Sequence, residues 1–147
     1  MILCKTLDFH MVMQYDHLTM SLRDYIRNGK VLLRRETYAI IKAKMPMPGA
    51  FALICDGSEI TVVIDQSRIV EQHVIDIDRG WRMLIFHMVL PLDLVGFVAE
   101  VSQVLADRGI SIFSLSAYST DHILVKEKDV GSAIEGLEEM GFAVEGM

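Results

Sequence analysis

Cysteine is close to missing from this chain: Cys4 and Cys55 are the only two in 147 residues, far apart and outside any Cys-x-x-Cys spacing. That excludes a disulfide framework, a dithiol redox motif and a cysteine zinc site, and leaves two buried free thiols as the expectation. Positive charge is scarce where a nucleic-acid surface would need it. Residues 1–74 hold nine Lys/Arg against eight Asp/Glu, and 75–147 hold five against twelve, within a net charge of −6. Clustered cations are what displace counterions from phosphates, so no nucleic-acid partner is expected; Arg34-Arg35 alone is too small a patch. No stretch approaches the roughly 18 consecutive apolar residues of a membrane span. Lys5, Asp8, His10, Gln14 and Asp16 interrupt any signal-like run at the start, so no membrane association and a cytoplasmic location are the expectation.

Convergent chemistry is lacking as well. His10, His17, His73, His87 and His122 include no i, i+4 pair and no accompanying cysteines, so no metal site is expected, and no other cofactor. Asp76 and Asp78 alternate like the solvated side of a strand, and Glu135, Glu138 and Glu139 read as the exposed side of a helix. Nothing there assembles a general acid and base, so the chain reads as not an enzyme.

What is present is apolar and ordered. Residues of apolar type make up 52% of the chain, ample for a core, and three prolines in all act as local punctuation. Residues 1–17 alternate loosely, as a strand would. Leu18, Leu22, Tyr25 and Ile26 fall at helical spacing, with Thr19 or Ser21 to cap and Asn28-Gly29 to end the helix. Val31–Leu33 and Tyr38–Ile41 are β-rich, and Met45-Pro-Met-Pro-Gly49 breaks the run. Phe51–Cys55 and Ile60–Ile64 flank Asp56-Gly57-Ser58-Glu59 as a hairpin. Residues 68–79 form a connector in which the alternating Val74-Ile75-Asp76-Ile77-Asp78 reads as a strand or an extended bridge, and Gly80 closes it.

The second half reads more cleanly. Trp81–Leu90 is a strand that Pro91 stops; Asp93 stands at a helix-cap position, and Leu94, Val95, Val98, Val101, Val104 and Leu105 mark one helical face ended by Gly109. Ile110–Ala117 and His122–Val125 form a second hairpin. Asp129 caps a last helix on Val130, Ala133, Ile134 and Leu137, ended by Gly141, and Phe142–Val144 is a final strand. Trp81 and Phe113 belong to the core, and ten methionines fill gaps or line an adaptable surface. The order is β-α-β-β-α-β, in which two helices cover one face of an antiparallel sheet. The fold class is therefore α+β, a ferredoxin-like βαββαβ unit packed with a reduced N-terminal version of itself. The divisions are an extension at 1–30, a reduced unit and connector at 31–79, and a full unit at 80–147. Pairing two such small sheets hides the face or edge that each leaves open.

Gly80-Trp-Arg82, Leu92-Asp-Leu-Val-Gly96, Leu105–Phe113 and Ser116–Val125 together resemble the carboxy-terminal unit of tandem ACT-domain proteins. More narrowly, they resemble the small two-unit group related to the CASTOR arginine sensors, with residues 31–69 a weaker match to the first unit. The resemblance implies an ACT fold twice over and a regulatory, non-enzymatic role: sensing a small ligand, typically an amino acid, at an interface between units, commonly in a homodimer that acts on a partner enzyme. The Asp-x-Pro-Gly turn common in ACT domains is absent, and the first unit lacks a full helix.

Two segments are candidates for the ligand. At Pro91–Gly96 the unfilled N–H groups of a helix start, with Asp93, Val95 and Gly96, suit a carboxylate; the alternative is that Asp93 caps the helix and Gly96 serves packing. The resemblance aligns Asp121 with a position that helps hold a cationic side chain, a charge-assisted pairing; the alternative is an aspartate bonding its own turn. Ser114, Ser116, Tyr118, Ser119 and Thr120 add hydrogen-bonding groups, of which only one alternate set in the strand can line a pocket. Three readings stand: an amino-acid sensor, a ligand-free assembly module, and a small enzyme on a ferredoxin-like scaffold.

Overall fold

A computed structural model describes residues 20–146. The expected strand over residues 1–17, with Cys4, His10, His17, Met11 and Met13, lies outside the described residues. Helix α1, Leu22–Asn28, begins where Ser21 and Asp24 form a reciprocal capping box: Ser21 accepts from the Asp24 N–H, and Asp24 accepts from the Ser21 N–H at 2.8 Å. The strands are β1 (Lys30–Ala43), β2 (Ala52–Cys55), β3 (Ile60–Asp65) and β4 (Val74–Phe86), then, after helix α2 (Phe97–Asp107), β5 (Ile112–Ser116) and β6 (Asp121–Lys126). Helix α3 (Val130–Met140) and strand β7 (Ala143–Gly146) complete the chain.

The seven strands among the described residues form one sheet, in the order β2-β3-β1-β4-β6-β5, with β7 beside β1. The mixed α/β fold expected for residues 80–147 is present, with one rearrangement. In a free-standing βαββαβ unit the last strand lies against the first. Here β1 takes that place antiparallel to β4, and β7 pairs in parallel with Lys30–Leu33 of β1. The far half of β1, Tyr38–Ala43, has β3 on the same edge. Fourteen residues can serve two neighbours in turn because the register slips between Leu33 and Thr37.

Of the two readings of Val74–Asp78, strand or extended bridge, the strand is the one formed, since β4 already runs from Val74. The division between 79 and 80 falls inside that strand. Tyr38 pairs with Trp81 and Ile40 with Asp78, so β4 carries one residue more than β1 there. Gly80 sits in that bulge at φ 78°, a backbone conformation that suits glycine. The strand also ends earlier than Leu90, at Phe86.

The bulge decides which side each residue faces. One face carries Val31, Leu84, Phe86, Ile123 and Val125, covered by Ile26 of α1, Val101 and Leu105 of α2, and Ala133 and Leu137 of α3. Phe86, Phe97 and Phe142 meet edge to face within it, with centroids 5.2 to 6.3 Å apart. Towards β2 and β3 this layer gives way to Ala39, Ile41, Val62 and Ile64, covered by Met47, Ile69 and Val70 from loops. The other face carries Tyr38, Val63, Trp81, Met83 and Leu124, with Phe113 packed on it as a partly buried member. No helix residue belongs to that cluster, yet Met83 and Leu124 are fully buried. Curling of the sheet encloses them: Phe51, which leads into edge strand β2, meets Tyr38 at 6.1 Å and His122 of β6 at 5.1 Å.

Candidate ligand-binding site

The Pro91–Gly96 loop and the 117–120 turn are distant in sequence, and the sheet brings them together. The Leu90 N–H donates to the Ser119 carbonyl at 2.9 Å, so the end of the β4 loop is tied to the β5–β6 turn. The turn is closed in turn by the Ala117 N–H on the Thr120 carbonyl, also at 2.9 Å. These backbone bonds use the carbonyls of Ser119 and Thr120 and leave both side chains half-exposed beside the loop.

Asp93 does not cap α2. The loop makes a turn of its own, with the Leu94 N–H on the Pro91 carbonyl at 3.0 Å, and α2 starts only at Phe97. The cap residue is Gly96, in the left-handed region at φ 91°, and no side chain bonds the first turn. Asp93 is exposed outside it. The helix therefore begins with N–H groups that no capping side chain satisfies, an end that favours negative charge. Leu22 of α1 lies beneath: a Cβ on Gly96 would stand 3.5 Å from its Cδ2. Val95, expected on the buried face of the helix, is instead 86% exposed, and Leu92 and Tyr118 are nearly as open.

Register places the remaining candidates. Ser116 pairs with Asp121 and Ser114 with Ile123. Ile123 belongs to the helix-side cluster, so Ser114, Ser116 and Asp121 share that side of the sheet, while Phe113 and Leu115 point into the curled face. Ser114 and Ser116 are exposed and Asp121 is half-buried. Asp93, Val95 and Gly96 thus lie on the loop that follows Leu90, Ser116 and Asp121 flank the turn of Tyr118, Ser119 and Thr120 to which Leu90 is bonded, and Ser114 is two residues further down the edge strand. Leu92 is not among the residues expected at the site, and the sequence offers His122 only as a metal or catalytic candidate. Leu92, an apolar residue stranded between proline and aspartate, is part of the open rim. His122 faces away from Asp121, into the curled side, where burial depresses its pKa below 6.5; a hydrogen bond with the Leu115 backbone and the Asp121 carboxylate oppose that shift, and the Arg34 charge adds to it.

Comparison with known proteins follows this geometry. The ACT domain model matches residues 76–139, from the β4 bulge to the end of α3. This chain carries an ACT-like fold. The Agrobacterium tumefaciens protein Atu0741 superposes with a TM-score of 0.70 at 24% identity, over 81% of this chain and 93% of that one. The ligand-free regulatory subunit of aspartate kinase from Thermus thermophilus superposes with a TM-score of 0.58 at 10% identity, over 78% of this chain and 97% of that one. The human protein CASTOR3P is 30% identical over 91 residues, 54% of this chain. That match spans 56% of the human protein, so the two chains share only about half of either length.

Other features bound the chemistry. Among the described residues no three His, Cys, Asp or Glu side chains group as metal ligands would. No helix among them is long and apolar enough to cross a membrane. Cys55, expected buried, is exposed at the end of β2, because that edge strand has a neighbour on one side only. Met47 is core, whereas Met45 is 48% exposed.

Proposed function

We propose that this protein is a non-enzymatic regulator that binds an amino acid through the Pro91–Gly96 loop, the 117–120 turn and Asp121, at an interface between ACT units. The observation that carries the reading is the hydrogen bond from Leu90 to Ser119, which ties the residue before the Pro91–Gly96 loop to the polar turn. A ligand carboxylate would meet the N–H groups of that first turn, and a cationic group would meet Asp121. The exposed Leu92, Val95 and Tyr118 would be covered by a facing unit, so a homodimer completes the site. The two-unit organisation belongs to the same reading, with residues 31–79 as a reduced unit sharing its sheet with the full one. A ligand bridging two copies would favour the arrangement that contacts it better, and only that difference transmits a signal to a partner enzyme.

The likeness of the fold to an aspartate kinase regulatory subunit supports a regulatory role, and the partial match to human CASTOR3P supports the sensor group. The competing reading is a ligand-free assembly module, favoured by the same three exposed apolar side chains. Thermal shift with each of the twenty amino acids separates them. At least one ligand at millimolar concentration is expected to raise the melting temperature by mass action. Asp121→Ala is expected to weaken a cationic ligand about tenfold, the loss of a charge-assisted hydrogen bond, with little change in the unliganded melting temperature. A flat response across all twenty removes the sensor reading, and equal affinity in calorimetry removes Asp121 from the site.

A further inference from the structure

A groove of about 440 Å³ runs between the three helices, lined by none of the loop and turn residues described above. Arg23, Ile26 and Arg27 of α1 form one wall, Glu100, Gln103 and Val104 of α2 the other, and Met140 and Gly141 close its end. Arg23 and Arg27 stand four residues apart and so project from the same side of α1. Both are exposed, and neither makes an ion pair with another described residue, although Asp24 feels the Arg27 charge. Glu100 on the opposite wall is equally without an ion-pair partner among the described residues. The groove thus keeps two guanidinium groups and a carboxylate apart across apolar ground. In a chain whose net charge is −6, a lining of two arginines and one carboxylate beside Ile26, Val104 and Met140 is locally positive.

The docking of α1 sets one wall of this groove. A Cβ on Gly29, just past α1, would stand 2.7 Å from the Met88 Cε and from the Tyr25 carbonyl, and 2.8 Å from the Phe142 ring. No side chain fits there, so the end of α1 lies hard against the loop after β4 and the start of β7. Tyr25 and Ile26 are buried in the same helix-side core.

We propose that this groove binds the carboxylate of a small apolar acid, with the carboxylate between Arg23 and Arg27 and the hydrocarbon body on Ile26, Val104 and Met140. Guanidinium groups match a carboxylate through paired N–H donors, and an apolar floor rewards a hydrocarbon body where a bare phosphate would gain nothing from it. Such a carboxylate is supplied either by a simple organic acid or by an apolar amino acid, whose ammonium would then reach Glu100.

Calorimetry on the full chain with 4-methylpentanoate, leucine and 3-methylbutylamine tests this, together with amide shift mapping. At least one of the two carboxylates is expected to bind and to shift the amides of Val104 and Gly141, and the amine is expected not to. The double variant Arg23→Ala/Arg27→Ala is expected to lose about tenfold or more in affinity, in line with the strength of hydrogen bonds to charged groups. Both positions are exposed, so the variant is expected to keep its fold, checked by its melting temperature. Glu100→Gln distinguishes the sources: weaker leucine binding identifies an amino acid, and unchanged or tighter binding of both acids identifies a plain organic acid. Binding of the amine as tight as that of the acids, affinity in the double variant within twofold of the wild type, or no binding of either acid at millimolar concentration overturns the proposal. Shifts confined to Gly96 and Thr120 and indifferent to the double variant also overturn it, while leaving the loop-and-turn reading standing.

Discussion

The two ends of the sheet cover the same face by different means. Around β4 and β6 three helices lie over the core, and Phe86 is fully buried among Phe97 and Phe142. Around β1 and β3 no α-helix among the described residues lies over the sheet, and Met47, with Ile69 and Val70 between two short 3-10 turns, closes over Ala39 and Ile41. Met45, Phe51, Leu53, Ile54 and Ile75 of this end are all more than a third exposed, whereas at the helix-covered end the open apolar side chains Leu92, Val95 and Tyr118 are confined to the loop and the turn. A lobe without its helical layer relies on loops, on sheet curl and, in an assembly, on a neighbour. Truncation measures the difference. Phe86→Ala is expected to cost about 3–5 kcal/mol and Met47→Ala about 2 kcal/mol in urea denaturation, since loops collapse into a void more readily than packed helices do. Equal losses at the two sites would show that the loops are as rigid a cover as the helices.

This contrast also explains what could be read from the residues. Periodicity of 3.6 survives where a helix has one buried side, so α2 and α3 were legible from Val101, Leu105, Ala133 and Leu137, and the glycines that end them were local signals. Turn chemistry likewise announced the two hairpins; Asp56 of the first accepts from the Ser58 N–H, the Ser58 hydroxyl and the Glu59 N–H, which hold its pKa down to about 2. The placing of β1 between β4 and β7 was not legible, because strand partners are chosen by the whole sheet and leave no periodicity of their own. Gly80 was seen as punctuation, but a bulge and a boundary ask for the same residue. Of the candidate site, the polar turn and the glycine were visible, whereas their meeting depends on a backbone bond between Leu90 and Ser119 that no side chain specifies. Asp93 misled for a similar reason: the loop forms its own turn first, and α2 starts three residues beyond Asp93's cap position.

The two faces of the sheet differ as sharply as its two ends. Among the described residues the helix-side core holds no buried charge-bearing side chain, while the curled side encloses His122, 8% exposed, beneath Phe51. Its folded pKa lies below 6.5, so the unfolded chain takes up a proton first as pH falls. The stability that depends on a neutral imidazole is complete above about pH 6.5 and declines below it until the folded pKa is reached. Arg34 on β1, Asp121 on β6 and the Leu115 backbone on β5 are the polar groups around it. Urea denaturation at pH 7 and pH 5 is expected to show a lower midpoint at pH 5, and His122→Gln is expected to remove most of that drop. A drop that persists in the variant would place the titrating group elsewhere, and acid loss linked to Asp56 would appear only below its ordinary 3.8.

The smallest expected effect concerns how α1 joins the helix-covered end. Seven residues are too few to hold a helix in water, so α1 depends on its core contacts through Tyr25 and Ile26 and on the Ser21–Asp24 box at its start. Ser21→Ala removes the hydroxyl that accepts from the Asp24 N–H and should cost about 1 kcal/mol. Asp24 owes its lowered pKa first to its side-chain bond with Ser21 and next to the Ser21 backbone, so the same substitution should let that carboxyl rise toward its ordinary 3.8, which carbon-detected NMR titration reads directly. If stability falls as expected while hydrogen exchange at Tyr25 and Ile26 speeds up no more than at Leu84, α1 opens only together with the sheet and the helical layer is one cooperative unit. Faster exchange confined to α1 would instead make it a separately hinged cover, the counterpart on this end of the loops that close the other.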